Sequence, residues 1–293
     1  MKKKIAILGC ENSHAATFLD FIYNTDKYSD VEVIGVYSNE PAASKSLNER
    51  FGVKVLENYT DALGQIDGLI VTARHGDLHY EYAKPYLDSG IPMFIDKPLT
   101  IKAEDAVDFM NELKSRGIKV SGGSSLKHDF GVKTLKAEHE GGVDGATLGG
   151  FVRAPLDAAS VYGGFYFYAP HLVEVVSEIF GRYPLTVKAR KQGDVTEIDF
   201  NYESYTAHGM FVEHNYVYYA CRMSEKTVKG MNLESTPEHN WFESEFAEYY
   251  SLLKGGVPTV SYEDLFSSVY VMNAIERSLA SGNEEKVNYF TKE

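Results

Sequence analysis

Cysteine is nearly absent: Cys10 and Cys221 are the only two in 293 residues. They are too few and too far apart for a disulfide framework or a zinc site. Basic clusters are scarce as well, with no Lys/Arg group beyond Lys2-Lys3-Lys4 and a formal net charge of −13. Nucleic-acid binding needs a basic stripe along the phosphates, so that class of partner is excluded. No apolar run reaches the ~18 residues of a membrane span. The short one after the lysines, Ile5 to Cys10, falls below the roughly seven residues of a secretory signal's apolar core. Internal repeats and low-complexity segments are missing too. What remains is a cytoplasmic protein, without membrane or nucleic-acid partners, long enough for two domains or one large one.

The first half alternates strands with helices. Residues 4–9 read as a buried strand stopped by Gly9, and Phe18, Phe21 and Ile22 give Ala15 to Tyr23 helical spacing. A dinucleotide fingerprint occupies this position in a nucleotide-binding sheet, its glycines allowing a sharp turn and a close approach to pyrophosphate. Gly9 supplies the first glycine, whereas Glu11 falls at the second and His14 at the third. Asn12 or Ser13 is expected to cap the helix, leaving its N-terminal amides facing an anion. Val31 to Tyr37 is the second strand. Ser38 then stands where an acid would bind the 2′-hydroxyl of NAD and a nearby arginine the 2′-phosphate of NADP, and the choice stays open.

A helix over Ala42 to Phe51, a short third strand over Val53 to Leu56 and a brief helix from Asp61 follow. Gly68 to Thr72 and Ile91 to Ile95 are further apolar strands, with a helix reaching Leu87 between them. His75 and His79 lie four apart and could share a helix face as metal ligands, but no third ligand is spaced nearby and no metal is expected. A helix capped by Thr100 and a strand at Lys119 to Ser121 complete a doubly wound parallel sheet. The strand ending at Ile95 runs into Asp96-Lys97-Pro98. Ligands of such sheets bind beyond the carboxyl ends of the strands, so Lys97 is either a site residue or a surface lysine in an ordinary turn.

Gly122 to Ser125 marks the expected boundary, giving domains 1–121 and 122–293. Beyond it, short alternating runs at Thr147 to Arg153, Leu185 to Lys191, Glu197 to Tyr202, His208 to Val212 and Tyr216 to Met223 predict a mostly antiparallel sheet. Its tyrosines suit either a half-buried sheet or a stacking surface for a sugar ring. His171 is placed in the first turn of a helix carrying Leu172, Val175, Val176 and Ile179, where the dipole would keep the imidazole neutral. Phe242, Phe246, Tyr249 and Leu253 mark one closing helix, and Ser261 with Asp264 caps another.

In this order, Gly9, the Thr72 to His79 segment, Asp96-Lys97-Pro98, Gly163-Gly164 with His171, and the closing Phe246 to Leu279 helices resemble the Gfo/Idh/MocA oxidoreductases. The resemblance implies an N-terminal Rossmann doubly wound parallel sheet plus a C-terminal α+β domain with a large, mostly antiparallel open sheet. It further implies hydride transfer between NAD or NADP and a sugar, polyol or related alcohol, in a homodimer or homotetramer. Gly9, Glu11, Asn12, Ser13, His14, Ser38, Thr72, Ala73, His75, His79, Asp96 and Lys97 would then line the cofactor. Lys97, Lys127, Tyr168 and His171 would meet the substrate, with His128 beside them, and Lys97, His171 and Tyr168 would be catalytic. His171 is the better base, because an ordinary histidine titrates near ~6.5 and a lysine near ~10.4.

This chain departs from the family at Asp96, which replaces a glutamate, at Glu11 and His14, and at Phe167, where an aspartate usually precedes the histidine by four. Two alternatives follow from those departures. One is a non-catalytic nucleotide- or sugar-binding regulatory relative without redox chemistry. The other is a redox-neutral enzyme using NAD transiently.

Overall fold

The computed structural model describes residues 2–292. Met1 and Glu293, the outer ends of the expected domains, lie outside the described residues. The chain forms two compact units: Met1–Thr100, Asp105–Gly123 and Phe242–Leu265 in the first, and Ile101–Glu104, Ser124–Trp241 and Phe266–Glu293 in the second. The main division thus falls at Gly123/Ser124, two residues beyond the expected boundary, and a late segment returns to the first unit. Phe246, Tyr249 and Leu253 of that segment explain the return, since they join the same buried cluster as Phe18, Ile70 and Phe94.

In the first unit β1 (Lys3–Leu8), β2 (Val31–Tyr37), β3 (Gly68–Val71), β4 (Met93–Asp96) and β5 (Val120–Gly123) form one sheet in the order β2-β1-β3-β4-β5. All its pairings are parallel. Buried on both faces, these strands read as continuous apolar runs rather than alternating ones. Between them run α1 (Ser13–Asn24), α2 (Pro41–Phe51), α3 (Asp77–Ala83) and α4 (Ala103–Ser115). Because β2 and β3 flank β1 on opposite sides, the order reverses there, and the carboxyl ends of β1 and β3 form the sheet's switch point.

Two short elements differ from expectation. Val53 to Leu56 contributes only an isolated bridge, Val36 to Val55. Asp61 starts a turn rather than a helix, because its carboxylate accepts the Glu57 and Asn58 amides and so draws the chain into a local loop.

In the second unit α5 (Phe130–Glu140), β6 (Thr147–Leu156), α6 (Phe165–Phe180), β7 (Thr186–Gln192), β8 (Val195–Asn201), β9 (Thr206–Glu213), β10 (Tyr219–Ser224) and β11 (Val228–Asn232) follow in order. After α7 (Trp241–Leu253) come α8 (Tyr262–Ser281) and β12 (Glu285–Lys286). The sheet order is β11-β10-β6-β9-β8-β7-β12, antiparallel except for β6 beside β9. Strand β8 alternates buried and half-buried positions, as a sheet covered on one face should. The cover is α6, and Gly150 of β6 permits it: a Cβ there would sit 2.1 Å from the Phe180 ring. Ser261 does receive the Asp264 amide at 3.0 Å, starting α8. Among the described residues no helix is long and apolar enough to cross a membrane.

Candidate active site

Strand β1 delivers Gly9 in a left-handed conformation (φ +73), and a Cβ at Gly9 would lie 2.3 Å from the Ala73 nitrogen. The two strand ends therefore meet closely, and Thr72 Oγ1 donates to the Gly9 carbonyl at 3.1 Å. Two residues on, the buried Glu11 carboxylate accepts from Ser38 Oγ at 2.6 Å and from the Arg74 amide at 2.9 Å. One side chain thus ties together the segments that follow β1, β2 and β3.

Asn12 occupies the cap position of α1 but makes no side-chain cap. Its amide instead donates to Asp96 Oδ2 at 2.7 Å. Ser13 is exposed, with its hydroxyl 3.3 Å from Asn12 Oδ1. The expected capping by Asn12 or Ser13 is therefore corrected: with the Asn12 amide turned to Asp96, its Oδ1 lies against the Ser13 hydroxyl rather than on a first-turn N–H. The first turn of α1 keeps its amides unclaimed by any cap side chain.

His14 is buried at the start of α1, between two carboxylates: Nδ1 lies 3.3 Å from Asp96 Oδ2 and Nε2 lies 3.3 Å from Glu245 Oε2. Burial lowers its pKa, but Asp96 and Glu245 outweigh that, and the net direction is upward. Asp96 also accepts the Lys97 amide at 2.7 Å, which fixes the backbone of a lysine only 5% exposed. The ring nitrogens of His79 lie 2.6 Å from the Pro98 carbonyl and 2.7 Å from that of Ala73, so both are taken up by backbone oxygens. Burial lowers the His79 pKa, and the neutral ring donates to one carbonyl at a time. His75 is half-buried, its Nδ1 accepting weakly from the Asp77 amide at 3.4 Å.

In the second unit, α6 begins at Phe165 after Gly164, and Pro170 lies inside it. His171 is therefore past the first turn, and the expected control of its charge by the helix N-terminus is corrected: the helix already starts at Phe165, with Pro170 an interior residue. Its ring is positioned by a hydroxyl instead, Nδ1 lying 2.7 Å from Ser124 Oγ. The Ser124 amide donates to the buried Glu174 carboxylate at 2.8 Å, and Lys127 Nζ stands 4.0 Å from the same group. Tyr168 packs at 5.7 Å from the His171 ring and at 5.7 Å from Tyr216, and Tyr218 packs on His171 at 6.1 Å. Phe167 packs between Tyr162 and Tyr168, tilted against the first ring and edge-on to the second. Burial drives the neighbouring His128 well below its usual pKa.

The first unit thus gathers Gly9 to His14, Ser38, Thr72, Ala73, His79 and Asp96 by hydrogen bonds and close contacts, and the second gathers Lys127, Tyr168 and His171. Sequence reasoning missed Glu245, Ser124 and Glu174. Glu245 is an acid beside the apolar positions of α7, Ser124 sits in a small-residue run that reads as a linker, and Glu174 follows His171 by three on one helix face. Each carried a signal only in relation to a partner not yet located.

These residues fit a nicotinamide dinucleotide. A tight glycine turn at the switch point and helix amides without a side-chain cap suit a pyrophosphate, and Ser38 with Glu11 offers polar groups to a ribose.

Residues 3–124 match the family model described as GFO_IDH_MocA, oxidoreductase family, NAD-binding Rossmann fold. The chain is 27% identical over 124 residues to the uncharacterized oxidoreductase YhhX of Escherichia coli K12, covering 39% of this chain and 35% of the relative. It is 29% identical over 138 residues to glucose-6-phosphate 3-dehydrogenase of Bacillus subtilis 168, covering 46% and 37%. The matched stretches therefore span little more than a third of either relative. The fold is similar to that of Lactobacillus casei scyllo-inositol dehydrogenase, solved with NAD(H) and scyllo-inositol bound, with a TM-score of 0.82 at 16% identity over 98% of this chain and 99% of that one.

Proposed function

From the match of residues 3–124 to the Gfo/Idh/MocA oxidoreductase family model we propose that this chain is a member of that family and an NAD(P)-dependent dehydrogenase acting on the CH–OH group of a sugar, polyol or related small alcohol. The observation that carries the reading is the strand-end lysine. Asp96, held by Asn12, in turn holds the amide of the buried Lys97 at the carboxyl edge of the parallel sheet. Relatives whose names specify sugar and inositol substrates support the choice of substrate class.

When bound, NAD or NADP supplies a hydride acceptor or donor. Lys97 orients the substrate hydroxyl and stabilises the alkoxide charge that develops on it. In the second unit the proton-acceptor role falls to His171, whose Nδ1 lies 2.7 Å from Ser124 Oγ. The aromatic surroundings of His171, Tyr168 and Tyr218, suit the apolar face of a ring substrate.

Lys97→Ala tests this. Turnover of an oxidisable polyol should fall by about two orders of magnitude or more, while NADH affinity changes little. Unchanged turnover would remove Lys97 from the mechanism. Phe167 and Glu11 favour a second reading, a ligand-binding relative without redox chemistry. That reading predicts no nicotinamide reduction with any alcohol by a folded protein that still binds a polyol.

A further inference from the structure

Resting on the dehydrogenase reading, we infer that Glu11 and Ser38 together make the site selective for NAD(H) over NADP(H), with the selecting carboxylate supplied from the turn after β1 rather than from the end of β2. In a nucleotide-binding sheet the residue following the second strand faces the adenosine ribose, and an acid there accepts the 2′-hydroxyl. That position is Ser38, which carries no charge. Its hydroxyl, however, donates to Glu11 Oε2 at 2.6 Å, which brings a carboxylate to the same strand end.

The carboxylate is built in rather than adventitious. Glu11 is only 8% exposed and Ser38 only 7%. Glu11 Oε1 accepts the Arg74 amide at 2.9 Å, and Ser38 Oγ in turn accepts the Glu40 amide at 2.9 Å. Three strand ends therefore fix one carboxylate orientation, and rotation of the side chain out of the site would abandon two hydrogen bonds at once. The substitution that breaks the second glycine of the fingerprint thereby compensates for the missing acid after β2.

A ribose 2′-hydroxyl can donate to such a carboxylate. A 2′-phosphate cannot donate when ionised, and it would bring like charge against a group shielded from water. The pair therefore discriminates by repelling one cofactor as well as by receiving the other.

Titration of the purified wild-type chain with NADH and NADPH, followed by nicotinamide fluorescence, reads this without turnover. NADH should bind about tenfold or more tightly than NADPH, the scale of one like-charge contact in a partly buried site. Glu11→Gln keeps the shape and the acceptor for Ser38 but removes the charge, so the ratio of the two affinities should shrink several-fold toward parity, chiefly through tighter NADPH binding. Glu11→Ala, with its fold checked by circular dichroism, should shrink the ratio likewise if the amide perturbs the turn. Equal wild-type affinities, or a ratio unmoved in both variants, overturn this inference and leave the dehydrogenase reading standing. Binding of neither nucleotide by the folded wild-type chain overturns both.

Discussion

His14 Nδ1 lies 3.3 Å from Asp96 Oδ2, so the residue standing at the third glycine of a dinucleotide fingerprint reaches the acid that precedes the strand-end lysine. The contact ties the start of α1 to the end of β4, with Asn12 donating to the same oxygen and the Lys97 amide to the other. Asp96 is wholly buried and His14 is 3% exposed. Removing one partner of a buried ionic pair leaves the other charge uncompensated, so Asp96→Asn should destabilise the fold by about 3–5 kcal/mol. Urea unfolding of the two chains at neutral pH measures this. A loss within experimental error of zero would mean that Glu245 alone satisfies the imidazolium.

The same cluster gives stability a pH dependence of known sign. Burial opposes charge on His14, but Asp96 and then Glu245 overcome it and raise the ring's pKa above its ordinary value. A raised native pKa means that the folded state binds the proton more tightly. The contribution is complete below the unfolded value near ~6.5 and is lost as pH rises through the higher native value. The stability difference between the wild-type chain and His14→Gln should therefore be largest near about pH 6 and decline above neutrality. Unfolding free energies across that range would decide it, and a difference that grows with pH would show that the ring is neutral throughout.

Much of this architecture was readable because parallel strands buried on both faces leave continuous apolar runs, as in Ile5 to Leu8 and Gly68 to Val71, each closed by a small or polar residue. The second sheet was readable through its alternation. Short pieces were not: Val53 to Leu56 has strand composition but only one bridge to Val36, and Asp61 preferred the amides behind it to a helix ahead. Helix α6 starts at Phe165, earlier than the apolar pattern from Leu172 to Ile179 implies, and the chain tolerates Pro170 in its interior. At the site, residue types marked Lys97 and His171, but what holds His171 could not be read. Ser124 lies 47 positions away, and only the tertiary fold puts its hydroxyl on the ring. Phe242–Leu265 returns to the first unit for a similar reason: a helical apolar stripe announces that a face is buried, not which sheet will bury it.

Glu174 provides a contrasting test, because its linkage runs the other way from that of His14. It is buried in α6, where it accepts the Ser124 amide at 2.8 Å. Burial raises its pKa, while Lys127, the Ser124 amide and Arg182 pull it down without cancelling that effect, and Glu178 adds to the rise. A carboxyl whose native pKa is raised binds its proton more tightly when folded. Stability then falls as pH climbs from the unfolded value near ~4.3 through the raised native value, and the penalty is complete above it. Glu174→Gln keeps an oxygen for the Ser124 amide and loses only the charge. The variant should be more stable than the wild-type chain at about pH 8, by of order 1 kcal/mol, with the advantage shrinking as pH falls toward about 5. Thermal unfolding at the two pH values measures both. A variant less stable at the higher pH would mean that the attraction of Lys127, 4.0 Å away, exceeds the cost of burying the carboxylate.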